Sequence, residues 1–300
     1  MQNAVATVRT PKSILVVVER TGDAPALIGK AVGLARPLGA QVELFLCDSE
    51  QAYVLDHTYD RAGVLAARAA SVAAARRYLN DMRASAGASE TDMTIDAQCE
   101  SPLYESVVRK VLRSASDLVI KAVAAADHRQ HGTPDPNDWQ LMRTCPAPLM
   151  LSRPRAWRSP PRFAAAVDVS DSEPPELARS VTGAAAMLAQ GFGAQLHVVY
   201  GETGSTGEPA ARIEKLRRLC SEAGVAADCT HVLRGQPEHS LPQFVGEQRY
   251  DALILGALAH RSAGTTPVGT LTSTLLDALD CDFVLVKPPS YHSPIDESSA

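Results

Sequence analysis

The chain has 300 residues, twice the usual domain size, so two domains are the starting expectation. Apolar residues make up 45% and charged residues 21%, an ordinary globular composition that excludes a disordered or collagen-like chain. The formal net charge is −5, which supplies no field to attract a polyphosphate and argues against nucleic-acid binding.

The longest apolar run, residues 252–259, has eight residues, far short of the 18 or more that a membrane span needs. The opening Met1-Gln2-Asn3-Ala4-Val5-Ala6 has no basic segment followed by an apolar one, so no secretory signal is read. Six cysteines without a CxxC pair argue against a disulfide framework or zinc ribbon. Cys47 and Cys99 lie in apolar runs and are expected to be buried thiols in a reducing compartment. These features imply a soluble cytoplasmic protein without a membrane partner.

Short apolar runs at 14–18, 42–46, 94–99, 118–120 and 149–151 read as strands buried on both faces. Between them, Leu65, Ala69, Val72, Ala75, Leu79 and Met82 recur at helical spacing, and Val107, Val108, Val111 and Leu112 form a second apolar face. Residues 153–161 carry three prolines, which cannot continue a helix or an inner strand, and read as a linker. The order then repeats. Strands are expected at 163–169, 195–200, 229–233, 252–255 and 283–286, and helices near 175–189, 209–223, 239–248 and 271–279. Alternating strands and helices imply right-handed βαβ units and a parallel sheet. The chain therefore reads as an internal duplication, with repeats at residues 1–153 and 162–288.

The segment richest in chemistry follows the fourth strand of the second repeat. From Gly256 through Ala259, His260, Arg261 and Gly264 to Gly269 and Thr270 the chain leaves a buried strand, crosses small residues and enters a helix. Such a loop lets backbone N–H groups approach an anion, and the helix N-terminus adds unpaired donors and partial positive charge. Thr270 can cap that helix or offer its hydroxyl to a phosphate. Glycine and threonine also serve ordinary turns, so the loop alone leaves both readings open.

The spacing Gly256-x2-Ala259-x9-Gly269-Thr270 resembles the Gly-x2-Gly-x9-Gly-(Ser/Thr) signature of the universal stress protein family, with alanine at its second glycine. Val167-Asp168-Val169-Ser170 resembles the family's first-strand end, whose Asp meets adenine in ATP-binding members. Leu196-His197-Val198 resembles its second-strand end, and Gly235-Gln236-Pro237 the opening of its third helix. Two copies in one chain, with Asp138-Trp139 and Cys145-Pro146 in the first, are similar to the tandem E-type bacterial members.

The resemblance runs from about Lys12 to Pro288. It implies an α/β fold: two tandem five-stranded parallel α/β, Rossmann-like repeats packed as an internal pseudo-dimer, with a further homodimer open. It also implies a non-enzymatic stress-response module. ATP is its expected cofactor, in the second repeat only, with Mg2+ where nucleotide is bound. Asp168, Val198, Gly256, Ala259, Arg261, Gly269 and Thr270 are the expected binding residues. No catalytic or metal-ligating set is read from the sequence. A slow ATPase or autokinase, and a scaffold for an apolar ligand or protein partner with decayed nucleotide sites, stand as alternatives.

The first copy departs from the signature. At an offset of 134 residues Gly256, Ala259, Gly269 and Thr270 align with Ala122, Ala125, Asp135 and Pro136. A carboxylate and a proline thus stand where phosphate donors belong, and Glu19 replaces Asp168. In the second copy Ala259 keeps its N–H but adds a methyl, which matters only where a left-handed backbone is needed. Arg261, with His260, can compensate by charge or stand as a solvated loop residue. Gly22 to Lys30 lacks P-loop spacing, and Asp127, His128 and His131 are too few for a closed metal site.

Overall fold

The computed structural model describes residues 10–20, 23–86, 93–123, 135–170, 173, 175–202, 209–257 and 270–297, Pro209 and Thr270 by backbone only. The chain divides into two compact units, one built mainly from residues 11–123 and 135–156, the other from 157–257 and 270–291.

The first unit runs β1 (Ser13–Val17), α1 (Ala24–Leu38), β2 (Gln41–Cys47), α2 (Ser49–Asp56), α3 (Arg61–Ser85), β3 (Met93–Gln98), α4 (Leu103–Ser114), β4 (Leu118–Ala122), α5 (Pro136–Thr144) and β5 (Leu149–Ser152). The second runs β6 (Arg162–Val167), α6 (Pro175–Phe192), β7 (Gln195–Glu202), α7 (Pro209–Glu222), a 3-10 turn (Ala227–Cys229), β8 (Thr230–Arg234), α8 (Pro237–Gln248), β9 (Ala252–Gly256), α9 (Thr270–Ala278) and β10 (Asp282–Val286). Within each unit the strands pair in parallel, in the orders β3-β2-β1-β4-β5 and β10-β9-β6-β7-β8. The α/β expectation is met in both repeats.

The strand order explains the strand composition. β1 and β4 are buried apart from one end residue each because helices cover both sheet faces, so Ile14, Leu15, Val16, Val119 and Ile120 need no polar alternation. α1 packs with α3 and α4 with α5, as right-handed crossovers in opposite directions require. The second unit repeats the pairing with α6 and α7, and with α8 and α9.

One carboxylate fixes the start of each sheet in the same way. Asp117 accepts hydrogen bonds from the N–H groups of Lys12 and Ser13 at 2.7 and 3.0 Å. Asp251 accepts from Arg158 and Arg162 N–H at 3.3 and 2.9 Å, and its buried carboxylate is also paired with Arg158 Nε at 2.9 Å. These donors precede or open β1 and β6 and would otherwise lack ladder partners. The 134-residue offset relates Asp117 to Asp251, α5 to α9 and β4 to β9.

Three details depart from the sequence expectation. Leu65 is 71% exposed, whereas Ser71, Ala75 and Leu79 form the buried face of α3. Ser71 is drawn inward because its hydroxyl donates to Asp48 at 2.7 Å. β7 continues to Glu202, so Val198 lies inside the sheet, opposite Ala165, and not at the strand end. All six cysteines are free; Cys99 is buried and Cys47 half-buried, its thiol pushed up to about 11 chiefly by desolvation.

Candidate functional site

In an open parallel sheet, ligands gather beyond the strand C-termini where strand order reverses. Here that point lies between β1 and β4 in the first unit and between β6 and β9 in the second.

In the second unit the register pairs Ala166 with Leu255, which sets the ends of β6 and β9 side by side. Asp168 follows β6 and Gly256 ends β9, so the fold brings these two expected residues to one edge. The Asp168 carboxylate accepts the Ser170 N–H at 2.8 Å, a local turn that fixes its direction. Burial raises the Tyr200 phenol above its usual value, and the Asp168 charge adds to that shift. α9 begins at Thr270 and returns the chain to β10, so its N-terminus faces the same edge. Ala259, Arg261 and Gly269 lie outside the described residues, as do His128 and His131. Val198 is fully buried and sits three register positions before Asp168, so Gly201 and Glu202 are the β7 residues nearest that edge.

Gly201 has a packing reason. A Cβ there would lie 3.1 Å from the Pro237 ring, so the Gly235-Gln236-Pro237 turn closes against the end of β7. Gly235 holds φ +106°, a conformation that side chains disfavour, and donates its N–H to Glu202 O at 3.3 Å. Gly256 has one as well. A Cβ at Gly256 would stand 2.9 Å from Leu177 of α6, so this glycine is needed for helix–strand packing whether or not an anion is bound.

Beside Asp168 opens a cavity of about 340 Å3 walled by α6 and α7. Arg179, Lys215 and Arg218 contribute positive charge to its rim, and Glu173 and Glu222 oppose it. Sequence reasoning missed these residues because single charges on exposed helix faces carry no distinguishing period.

The corresponding edge of the first unit is filled by its own side chains. Lys121, at the position of Leu255, is 1% exposed, and its ammonium lies 2.9 Å from Asp138, 3.1 Å from Glu19 and 3.9 Å from Asp135. Asp135 is also the N-cap of α5, where its Oδ1 accepts the N–H groups of Asn137 and Asp138 at 2.6 and 2.9 Å. The donors that a phosphate would use at a helix start are thus occupied by a carboxylate of the same chain. The three neighbouring carboxylates hold Lys121 above its ordinary value despite burial, while burial raises Asp138 to about 6. The sequence signal for this cluster was a lysine inside an otherwise apolar strand. Among the described residues no group of three or more His, Cys, Asp or Glu is arranged to hold a metal ion, and no helix is long and apolar enough to cross a membrane.

No protein-family model matches the chain. Its likeness to individual proteins is nonetheless extensive. Universal stress protein E of Escherichia coli K12 is 24% identical, over 95% of this chain and 96% of that protein. The Universal stress protein E homolog of Haemophilus influenzae is 25% identical, over 61% of this chain and 66% of that protein. Among solved structures, a functionally unknown protein from Pseudomonas aeruginosa PAO1 superposes with a TM-score of 0.71 at 21% identity, covering 94% of each chain. A universal stress protein from Archaeoglobus fulgidus gives a TM-score of 0.65 at 12% identity, covering 94% of this chain and 98% of that one. The sequence likeness and the shared fold both extend through the two repeats.

Proposed function

We propose that this chain, similar to the tandem universal stress proteins through both repeats, is a stress-response module that takes an adenine nucleotide in its second repeat alone. The observation that carries the reading is the contrast at the two helix starts. In the first repeat Asp135 and Lys121 already satisfy the helix donors and fill the strand edge, whereas the aligned residues of the second are Gly269 and Leu255. ATP would set its adenine by the Asp168 carboxylate, which can accept from the exocyclic amino group. Its phosphates would lie along residues 256–270, near the N-terminus of α9, with Mg2+ accompanying them. Arg261 and Ala259 belong to that stretch, and the β7 backbone next to the base is that of Gly201 rather than Val198.

The chain acts in this reading by binding and not by turnover. At the described edge the Asp168 carboxylate is engaged by the Ser170 N–H, a turn contact that supports a binding role. Calorimetric titration with ATP and Mg2+ tests the reading: a single site per chain is expected, lost in Gly269→Asp. Wild-type binding that Gly269→Asp leaves unchanged overturns it.

A second reading, a scaffold that docks a protein partner, is favoured by one observation. Tyr53, Val54, Tyr59 and Leu65 are 59–102% exposed and all lie along α2, α3 and their connection. Unaltered self-association and pull-down behaviour of a Tyr53→Ser/Leu65→Ser variant would dismiss it.

A further inference from the structure

We propose that Glu19, Lys121, Asp135 and Asp138 form a proton-operated latch on the first repeat, in which proton uptake in mild acid tightens α5 against β4. This inference is independent of any nucleotide.

The geometry supplies the mechanism. Three carboxylates converge on one ammonium, so with all groups ionised the cluster carries two excess negative charges. Glu19 and Asp135 reach water, with side chains 35% and 48% exposed, and can spread their charge into solvent. Asp138 cannot, at 5% side-chain exposure: burial is what chiefly disfavours its charge, Asp135 and Glu19 add to that, and Lys121 opposes it. Its position on the first turn of α5 couples its ionisation to the seating of that helix.

The charged groups that face Asp138 are Lys121 from β4, Asp135 from its own cap, and Glu19 after β1. α4, which packs against α5, spends its charges elsewhere: Arg109 on Glu105, and Lys110 on Glu43 and Asp96. Lys121 stays charged throughout, being held above its ordinary value. The switching proton therefore resides on an Asp138 oxygen, where it removes a buried charge and relieves the repulsion from Asp135 and Glu19.

The sign is set by linkage. Asp138 binds its proton at about 6 in the folded state and near 3.8 when freed. Its contribution to stability is complete below the unfolded value and is lost as pH rises through about 6. Relative to pH 7.5, the closed state of α5 should gain about fourfold at pH 5.5 and about tenfold at pH 5.

Hydrogen exchange of the full-length chain, expressed as protection factors to remove the intrinsic pH dependence of exchange, reads this directly. Peptides spanning residues 135–144 should gain protection by those factors as pH falls from 7.5 to 5. Asp138→Asn should abolish the rise. Glu19→Gln, which removes one repelling charge, should move its midpoint to lower pH, and it serves should the first variant fail to fold. Flat or falling wild-type protection over that range overturns the proposal. So does a rise that survives in Asp138→Asn, or a midpoint that Glu19→Gln leaves in place.

Discussion

Replacing Lys121 by methionine keeps the length and apolar stem of the side chain and removes only the charge. The ammonium is 1% exposed and stands 2.9 Å from Asp138 and 3.1 Å from Glu19. Its loss leaves three carboxylates facing one another. The half-exposed Asp135 and the one-third-exposed Glu19 are screened by water, and each accounts for at most about 1 kcal/mol. Asp138 is almost fully buried, and stripped of its partner it takes up a proton, which from a folded value of about 6 costs about 2 kcal/mol at pH 7.5. The first unit should therefore lose roughly 2–3 kcal/mol at pH 7.5, a fall of about 1 M in urea midpoint for a slope near 2 kcal/mol/M.

The two tryptophans make the assay local. Trp139 rides on α5, while Trp157 belongs to the other unit, edge-on to Phe163 and Phe192. In a Trp157→Phe background, fluorescence follows the first unit alone. The loss should shrink at pH 5, where Asp138 takes a proton. Lys121→Met combined with Asp138→Leu should recover most of it, since an apolar pair needs no compensation. A loss under about 1 kcal/mol at pH 7.5 would refute the view that this cluster holds the first repeat's edge together.

Further outcomes follow from other contacts. Gly256→Ala should cost about 1–3 kcal/mol through the clash with Leu177, and a thermal melt without nucleotide will show the whole effect if packing is its cause. Asp251→Ala should destabilise the second unit by about 3–5 kcal/mol in urea titrations, because Arg158 Nε and the N–H groups of Arg158 and Arg162 lose a buried acceptor. His197 and His231 stack with Nδ1 and Nε2 2.8 Å apart, and burial, the partner ring for His197 and Arg162 hold them below the usual histidine value. Their stabilisation is complete above the unfolded value of about 6.5 and is lost as pH falls towards the lower folded values. Acidification from pH 7.5 to 5.5 should therefore lower the second unit's melting point, and His231→Phe should reduce that drop.

Much of this fold was legible because it rests on strong local signals. Short runs of three to seven residues, mostly apolar, marked all ten strands, and the prolines at 154, 160 and 161 marked the change of unit. The 134-residue offset read from Asp117 and Asp251 also relates α5 to α9 residue by residue. What escaped the sequence depended on long-range geometry. α3 is alanine-rich on all sides, so its period could not say that Leu65 would face water and Ser71 would turn inward to Asp48. Strand register, not strand content, placed Val198 away from the Asp168 edge.

Lys121 shows the same limit from the chemical side. Asp135 and Pro136 disqualified the first repeat as a phosphate site on charge alone. The Asp135 cap is local, two residues from its first donor, but the burial of Lys121 against Glu19 rests on a contact spanning 102 residues. In the second repeat Asp168 and Gly256 were recognised as strand-end residues, and Gly256 carries a packing role that spacing alone did not announce.

The central claim is that one repeat binds and the other is occupied by its own side chains. Isothermal titration of the full-length chain with ATP and Mg2+ tests it most directly, run on the wild type and on Gly269→Asp. The account predicts a stoichiometry near one per chain in the wild type and no measurable heat in the variant, since a carboxylate beside a phosphate costs at least a few kcal/mol. A stoichiometry near two, or an affinity that Gly269→Asp leaves unchanged, would contradict it.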